Sequence, residues 1–313
     1  MIELINFTKL YGDFVAVDNL NLKIEPGELF GFIGPNGAGK STSIRFLVTL
    51  LRATSGEGRV AGFSVAKQPM EVRRNIGYMP DAFGLYDGMK VWEFLDFFAA
   101  AYQIPAFHRR KVIADVMELL DIAGKRDDYV NSLSRGMTQR LCLAKTLVHD
   151  PPVLILDEPT SGLDPRARLE VKALLRELQK MGKTILIASH ILSELADCCT
   201  SIGIIERGHL LLHGTIDDVY RKIQRNRRVD IRFAADQDRS NQDRGEAILR
   251  RCPQLVDLQV EGSKILAELA ATEEQLALIV DEFAREGVRF HSFADLEPSL
   301  EDVFMMVTQG AVN

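Results

Sequence analysis

The sequence predicts an α/β protein that carries a second, smaller α+β domain. Three observations support this: apolar strands alternate with helices, a glycine-rich loop joins one strand to a helix, and a basic stretch at 225–228 precedes a differently ordered segment. At 313 residues the chain also exceeds the usual ~100 to 200 residues of one domain. We therefore expect two domains, at 1–222 and 229–313.

Composition narrows the class of protein. Hydrophobic residues make up 46% and charged residues 26%, the balance of a globular chain rather than a disordered one. The 38 basic and 44 acidic residues give a net charge of −6, so no global positive field recruits nucleic acid. The chain has no apolar run of the ~18 to 20 residues that a membrane helix needs and no secretory signal pattern at its start. We expect a cytosolic protein that binds no nucleic acid.

In the first domain, residues 1 to about 79 read as short β-rich runs that end in a strand, loop and helix unit. Its strand covers 28–33 and its helix 40–51. Residues 82–149 then read mostly as helix. One apolar stripe of a helix in this segment is formed by Val112, Val116, Leu119 and Leu120.

The strand pattern returns after the helical segment. Apolar runs at 153–156 and 184–188 predict two buried strands. Between them, Asp164 is the expected N-cap of a helix, Pro165 its first residue and Gly182 the residue that closes it. This alternation predicts a mainly parallel sheet with a helical insertion.

A hairpin and a second domain complete the predicted order. Residues 202–206 and 209–213 flank Arg207-Gly208, which reads as a hairpin turn, and a short helix follows Thr215. Beyond the basic stretch the order is β-α-β-β-α-β, the ferredoxin-like arrangement. The predicted segments are a strand at 229–233, a helix near 244–251, paired strands around 261–262, a helix at 273–286, a strand at 288–293 and a last helix at 299–308.

The glycine-rich loop fits the pattern G-x-x-x-x-G-K-[ST] of a phosphate-binding loop. Glycines allow backbone N–H groups to close around phosphate oxygens, and the following helix adds the partial positive charge of its N-terminus. Lys40 would reach the β- and γ-phosphates of ATP and Ser41 would ligate Mg²⁺. The candidate nucleotide-binding residues of this loop and helix start are Gly34, Pro35, Asn36, Gly37, Ala38, Gly39, Lys40, Ser41 and Thr42.

Two carboxylates and one helix start extend the candidate site. Asp157 and Glu158 end the strand at 153–156, at the sheet edge where ligands bind in open α/β folds. Asp157 can hold Mg²⁺ and Glu158 can activate water. Ser134 is the expected N-cap of a helix running to 148, and Gly136 exposes backbone in its first turn, so this helix forms a second anion-binding end.

With these motifs in order, residues 2 to about 220 resemble an ATP-binding cassette (ABC) ATPase. The resemblance implies a P-loop NTPase fold made of a RecA-like core and a helical subdomain at about 82–149. It implies that Tyr11 stacks on adenine, that Ser134 and Gly136 form the signature loop and that His190 is the switch histidine. It also implies that Ser161 to Asp164 form the D-loop, with Asp164 at the nucleotide. In that family two subunits dimerise head to tail, and each signature loop closes over the other subunit's ATP.

The chain departs from the family's commonest pattern at three positions. Arg135 and Met137 stand in the signature loop where glycine and glutamine are usual, a variant that resembles the subgroup exporting drugs or antibiotics through ABC-2-type permeases. The segment 296–304 resembles the tail of that subgroup. Asp81 stands where the family has glutamine or glutamate, and its carboxylate is a third candidate Mg²⁺ ligand beside Ser41 and Asp157.

The resulting hypothesis is a cytosolic ATPase subunit that binds ATP and Mg²⁺, forms a dimer with a second copy and drives an integral membrane permease from the inner face of the membrane. Lys40, Glu158 and His190 are its catalytic residues. The permease contact falls in 82–149, which contains the apolar residues Phe83, Leu85, Trp92 and Phe97. Two alternatives are an ABC ATPase that acts on nucleic acid or ribosomes and a regulatory protein that holds ATP without turnover.

Overall fold

A computed structural model of the chain describes residues 1–82, 84–191, 198–223, 226–233 and 240–296. The chain forms two compact units, Met1–Ile216 and a second one that begins at Asp217. The helix predicted at 299–308, most of the tail at 296–304 and Phe83 lie outside the described residues. Among the described residues, no helix combines the length and apolar character needed to cross a membrane.

The first unit contains two sheets. The strands are β1 (Ile2–Tyr11), β2 (Phe14–Ile24), β3 (Leu29–Ile33), β4 (Ser55–Val60), β5 (Phe63–Ser64), β6 (Ile76–Met79), β7 (Val153–Asp157), β8 (Thr184–Ser189), β9 (Ser201–Glu206) and β10 (His209–Thr215). The central sheet has the order β10-β9-β3-β8-β7-β6, and only the hairpin of β9 and β10 is antiparallel. The prediction of a mainly parallel sheet is confirmed, as is the hairpin around Arg207.

The helices of this unit lie between and beside the sheets. They are α1 (Lys40–Leu47), α2 (Pro69–Asn75), α3 (Val91–Ala101), α4 (Ala106–Leu119), α5 (Arg135–Leu147) and α6 (Pro165–Lys180), and α7 (Ile216–Ile223) begins at the unit's last residue. Helices α3, α4 and α5 confirm the mostly helical segment. Asp164 caps α6 as predicted, because its carboxylate accepts a hydrogen bond from the Ala167 N–H at 2.9 Å.

A four-stranded antiparallel sheet of order β2-β1-β4-β5 lies across α1 from the central sheet. Phe7 of β1 stacks on Phe46 of α1 with ring centroids 4.4 Å apart, and both belong to one buried core with strands of the central sheet. The sequence did not predict this second sheet. Its strand β1 shifts register three times against β2, so its side chains do not alternate between apolar and polar over its length.

The second unit has the predicted ferredoxin-like order. Its elements are β11 (Arg227–Arg232), α8 (Ser240–Arg251), β12 (Leu255–Glu261), β13 (Lys264–Leu269), α9 (Glu273–Arg285) and β14 (Ser292–Leu296). The sheet order is β12-β13-β11-β14, and all neighbouring strands are antiparallel. A core that includes Ile231, Leu249, Ile265 and Phe283 lies between the sheet and the two helices.

Two predicted element bounds and one predicted apolar stripe are wrong. The helix expected to reach residue 51 ends at Leu47, because Thr49 adopts a positive φ of 65° that no helix interior allows. The strand expected at 288–293 starts only at Ser292, because Val288 is still tied to α9 by its N–H bond to the Phe283 carbonyl. The apolar stripe of α4 buries Ile113, Val116, Met117 and Leu120 and leaves Leu119 44% exposed.

Candidate functional site

The phosphate-binding loop joins β3 to α1 at the carboxyl end of the central sheet. Gly39 caps α1 with φ of +108°, a conformation that favours glycine. Gly34 lies so close to β9 that a Cβ atom there would be 2.2 Å from the Ile205 carbonyl oxygen. The loop is also fixed by the hairpin turn, since Gly208 donates its N–H to the Ala38 carbonyl at 2.9 Å. These contacts hold the loop in one shape before any ligand binds.

Lys40 is the buried cation of this loop. Its ammonium group donates to the carbonyl oxygens of Gly34 at 2.6 Å and Pro35 at 3.1 Å. Burial lowers the pKa of Lys40, while Glu158 and Asp157 raise it. The side chain therefore lies between the loop and two carboxylates, where it can turn from backbone oxygens to phosphate oxygens.

Asp157 ends the buried strand β7 beside the loop. Burial raises its pKa, the hydrogen bond from the Ser41 hydroxyl lowers it, and the negative charges of Glu158 and Asp81 raise it further. Ser41 and Asp157, two of the residues predicted to hold Mg²⁺, are thus hydrogen-bonded to each other. The charges of Glu158 and Asp81 thus act on the Asp157 carboxylate, which is hydrogen-bonded to Ser41.

Glu158 follows Asp157 in a left-handed conformation with φ of +52°. A non-glycine residue rarely adopts this region, and such strain concentrates at functional positions. The carboxylate of Glu158 accepts hydrogen bonds from the His190 ring Nδ1 at 2.7 Å and from the Ser189 hydroxyl at 3.3 Å. The structure thus brings together Glu158 and His190, which are 32 positions apart.

One cavity of about 270 Å³ unites most of the candidate residues. Tyr11 lines this cavity, 46% exposed, with the Lys9 ammonium 5.1 Å from its ring centroid. Phe14, 63% exposed, also lines the cavity and was missed by the sequence interpretation. The other lining residues are Ala16, Asn36, Gly37, Ala38, Gly39, Lys40, Ser41, Thr42, Asp81, Asp157 and Glu158. The cavity thus offers both aromatic surface and charged groups.

The oxygen donors around Ser41 and Asp157 suit Mg²⁺. Hydroxyl and carboxylate oxygens are the ligands that Mg²⁺ takes, usually together with phosphate oxygens of a substrate. No three His, Cys, Asp or Glu side chains among the described residues form a metal site by themselves. The Ser41 hydroxyl and the Asp157 carboxylate fit a cation that also binds phosphate oxygens of a nucleotide.

Ser134, Gly136 and Asp164 do not line this cavity. Ser134 caps α5, its hydroxyl accepting the Met137 N–H at 3.4 Å. Gly136 lies in the first turn of α5 and Asp164 caps α6. The chain thus presents a second exposed helix start, away from its own phosphate-binding loop.

Comparison with known proteins agrees with this architecture. The family model of ABC transporters matches residues 17–161. The bacitracin transport ATP-binding protein BcrA of Bacillus licheniformis is 33% identical over 99% of this chain and 98% of its own length. The probable multidrug ABC transporter ATP-binding protein YbhF of Escherichia coli is 37% identical over 70% of this chain, which spans only 38% of that relative. The chain thus covers about two fifths of YbhF.

Solved structures give the same result for the fold. The dimeric structure of MJ0796, a bacterial ABC transporter cassette, superposes with a TM-score of 0.64 at 26% identity, covering 69% of this chain and 99% of that one. A fold of this kind with an assembled phosphate-binding site defines an ATP-binding cassette ATPase. The chain belongs to the family of ABC transporter ATP-binding proteins.

Proposed function

We propose that this subunit binds ATP between two copies of the chain and drives a separate membrane permease. One observation supports the dimer above all. The cavity contains Lys40, Ser41 and Asp157, but Ser134 and Gly136 face elsewhere. Since an exposed helix start attracts phosphate, the signature loop of a second copy is the natural group to close the site.

Each residue of the cavity has a role in the proposed reaction. Tyr11 and Phe14 offer rings on which adenine stacks, worth ~1 to 3 kcal/mol per stacked base. Lys40 turns from its backbone carbonyls to the phosphates and neutralises charge that grows in the transition state. Glu158 accepts a proton from the attacking water, and His190 holds the Glu158 carboxylate in place.

Ser41, Asp157 and Asp81 are the residues that would hold Mg²⁺ with the nucleotide. When bound, the ion supplies positive charge to the phosphate oxygens. The chain itself keeps the Ser41 hydroxyl and the Asp157 carboxylate in contact. Glu158, fixed by His190, remains available for water.

The permease surface lies on the helical segment. Tyr86 and Phe97 are 49% and 46% exposed, and their ring centroids lie 5.5 Å apart. Phe98 adjoins Phe97 at 5.2 Å and carries the Lys145 ammonium 5.1 Å from its ring. Tyr86, Phe97 and Phe98 together form an aromatic patch. Of the predicted contact residues, Phe97 is in this patch, while Leu85 and Trp92 are half-buried.

Lys145 indicates the chemistry of the permease segment. Burial lowers the pKa of Lys145, and the lysine has no ion-pair partner among the described residues. A half-buried cation beside exposed rings is stabilised by a carboxylate on the incoming surface. The proposed partner segment is therefore a helix with an apolar face and one acidic residue.

Export through an ABC-2-type permease is supported by two observations. Arg135 and Met137 give the signature loop of that exporter subgroup, and the relatives BcrA and YbhF are named for bacitracin transport and multidrug transport. These names favour transport over action on nucleic acid. The subunit would act in the cytoplasm, on the inner face of the membrane.

Co-expression with an ABC-2-type permease tests the proposal. Phe97→Asp should abolish co-purification of the complex and stimulation of ATPase activity by the permease. Phe107→Asp is the matched control, because Phe107 is a 78% exposed aromatic on α4, outside the patch. An equal loss of co-purification in both variants, or no loss in either variant, would refute the proposed permease surface. A full-length complex that hydrolyses ATP without moving any substrate into inverted vesicles would refute export.

A further inference from the structure

Arg135 contacts the D-loop of its own chain. Its Nη2 atom donates to the Ser161 carbonyl at 3.4 Å, 26 positions away. The guanidinium group lies flat against Gly162, where a Cβ atom would be 2.2 Å from the Arg135 Cζ. Gly162 has φ of +70°, a conformation that favours glycine, and the guanidinium group occupies the space that a Cβ atom would fill. Arginine at 135 and glycine at 162 therefore fit each other.

Gly136, the next residue of the signature loop, also lies near the D-loop. A Cβ atom added to Gly136 would be 3.7 Å from the Cδ2 of Leu163, which is 6% exposed. The first turn of α5 therefore lies beside the D-loop, and the Arg135 side chain makes the hydrogen bond between them.

The D-loop is tied in turn to the catalytic carboxylate. Ser161 donates its N–H to the Glu158 carbonyl at 3.1 Å, which closes a tight turn over 158–161. Glu158 is already held in a left-handed conformation. A displacement of Ser161 therefore changes the backbone that aims the Glu158 carboxylate.

We propose that Arg135 is a positioning residue that couples the two ATP sites of the dimer. It links the signature loop, which closes over the partner's ATP, to the D-loop, which follows the chain's own Glu158 and precedes α6. ATP bound at one site then aligns the catalytic carboxylate of the other. This inference rests on the head-to-tail dimer of the proposed function. Glycine, the usual family residue at this position, has no side chain to make the contact.

A direct role for Arg135 as a charge on the partner's phosphates is the competing explanation. The two roles differ in what Arg135→Lys preserves. Lysine keeps the charge but lacks the flat fork that covers Gly162 and reaches the Ser161 carbonyl. A positioning role predicts that lysine behaves like alanine, and a charge role predicts that it behaves like arginine.

The test measures ATPase rate against ATP concentration for the full chain. In Arg135→Ala and Arg135→Lys the Hill coefficient should fall to about one, with a loss of about fivefold or more in rate at low ATP. ATP affinity of the Glu158→Gln protein, measured at dilution where it is monomeric, should not change on adding Arg135→Ala. Lys180→Ala, at the exposed far end of α6, is the control and should retain wild-type cooperativity.

Gly162→Ala provides an independent test, because the added methyl group displaces the Arg135 guanidinium group without removing its charge. In the wild-type background it should lower the Hill coefficient as Arg135→Ala does, and in the Arg135→Ala background it should add little. The backbone strain of alanine at a positive φ is present in both backgrounds and cancels in this comparison.

Two results would overturn the proposal that Arg135 couples the two ATP sites. One is that Arg135→Ala and Gly162→Ala have additive effects on the Hill coefficient, and the other is that Arg135→Ala keeps wild-type cooperativity. If Arg135→Ala fails to fold, Arg135→Lys and Gly162→Ala still decide the question. A wild-type protein that stays monomeric with ATP and shows a Hill coefficient of about one would refute the dimer itself, and the inference with it. A cooperative wild type with unchanged variants refutes only the role of Arg135.

Discussion

The Glu158 carboxylate accepts two hydrogen bonds from His190, one from the ring Nδ1 at 2.7 Å and one from the main-chain N–H at 3.0 Å. An ionised carboxylate only accepts, so the Nδ1 atom must carry a proton. Within the part of the chain that the structure describes, the Nε2 atom of His190 makes no hydrogen bond. His190, which directly follows β8, thereby fixes the direction of the Glu158 carboxylate.

Glu158→Gln should lower turnover by ~10² to 10⁴, the usual worth of a positioned general base. Glutamine keeps the shape of the side chain and can still accept the bonds from His190, so ATP binding should persist and an ATP-bound dimer should accumulate. Steady-state ATPase assays and light scattering with ATP measure both effects. Glu57→Gln, on the exposed strand β4, is the control; turnover equal to that control would remove Glu158 from the mechanism.

Lys40→Ala should weaken nucleotide binding by about tenfold or more, since a charge-assisted hydrogen bond contributes ~1.5 to 3 kcal/mol. Lys40→Arg should not restore binding, because the larger guanidinium has to fit where the lysine is only 6% exposed. Isothermal calorimetry with ATP measures both affinities. An unchanged dissociation constant in Lys40→Ala would contradict the assigned role.

Local signals explain why much of the fold and site could be predicted. The loop from Gly34 to Ser41 and the N-caps Ser134 and Asp164 depend on neighbours within a few residues, and the structure has all three as expected. The contact between Arg135 and Gly162 depends on two helix starts meeting in space. No pattern within either segment indicates it.

Two errors had a tertiary cause. Val112, Val116 and Leu119 fit helical spacing as well as Ile113, Val116 and Met117 do, and only packing of α4 against α3 and α5 selects the second set. Phe14 was missed because its place beside Tyr11 depends on the turn between β1 and β2. An aromatic residue after a turn is otherwise no sign of a ligand.

His149 should make the protein's free energy of unfolding decrease at acidic pH. Its Nε2 bonds the Ile76 carbonyl at 2.9 Å, its ring stacks on Tyr102 with centroids 3.5 Å apart, and burial lowers its pKa from 6.5 to about 4. The unfolded chain therefore takes up the proton first, so stability is lost as pH falls from about 6.5 to about 4. The loss is at most about 3 kcal/mol, at ~1.4 kcal/mol per pKa unit, and less with solvent screening.

His149→Phe isolates this contribution. The variant keeps the stack on Tyr102 but loses the bond to Ile76, so it should be less stable near neutral pH by ~1 to 3 kcal/mol. Its free energy of unfolding should then fall less steeply with acid than that of the wild type. Urea unfolding at several pH values measures the two slopes, and parallel curves would show that His149 does not contribute.

The ferredoxin-like part of the second unit, which begins at β11, should be dispensable for binding ATP. All residues that line the nucleotide cavity belong to the first unit, and the ferredoxin-like sheet begins at β11. A fragment of residues 1–226, ending just before β11, should fold and bind ATP with the affinity of the whole chain. Calorimetry on the fragment, with circular dichroism to establish folding, measures this; a folded fragment without ATP affinity would refute the boundary.

Asp81 is the departure from the family pattern that most directly concerns the metal. It is exposed, lines the nucleotide cavity and raises the pKa of Asp157 by its charge, so it lies near the proposed Mg²⁺ ligands. A carboxylate there repels the γ-phosphate unless a cation intervenes. The alternative is that Asp81 is a solvated turn residue after Pro80.

Asp81→Ala should leave ATP binding without magnesium nearly intact, lower hydrolysis at limiting Mg²⁺ and abolish stimulation by the permease. Asp81→Glu should retain most of both activities, because it keeps the charge and extends it by one methylene group. Asp87→Ala is the matched control, since Asp87 is an exposed carboxylate in the same loop that does not line the cavity. ATPase rates against Mg²⁺ concentration, with and without reconstituted permease, decide the matter. Identical curves for wild type and Asp81→Ala would leave the solvated turn as the correct explanation, and Asp157 with Ser41 as the protein's only proposed metal ligands.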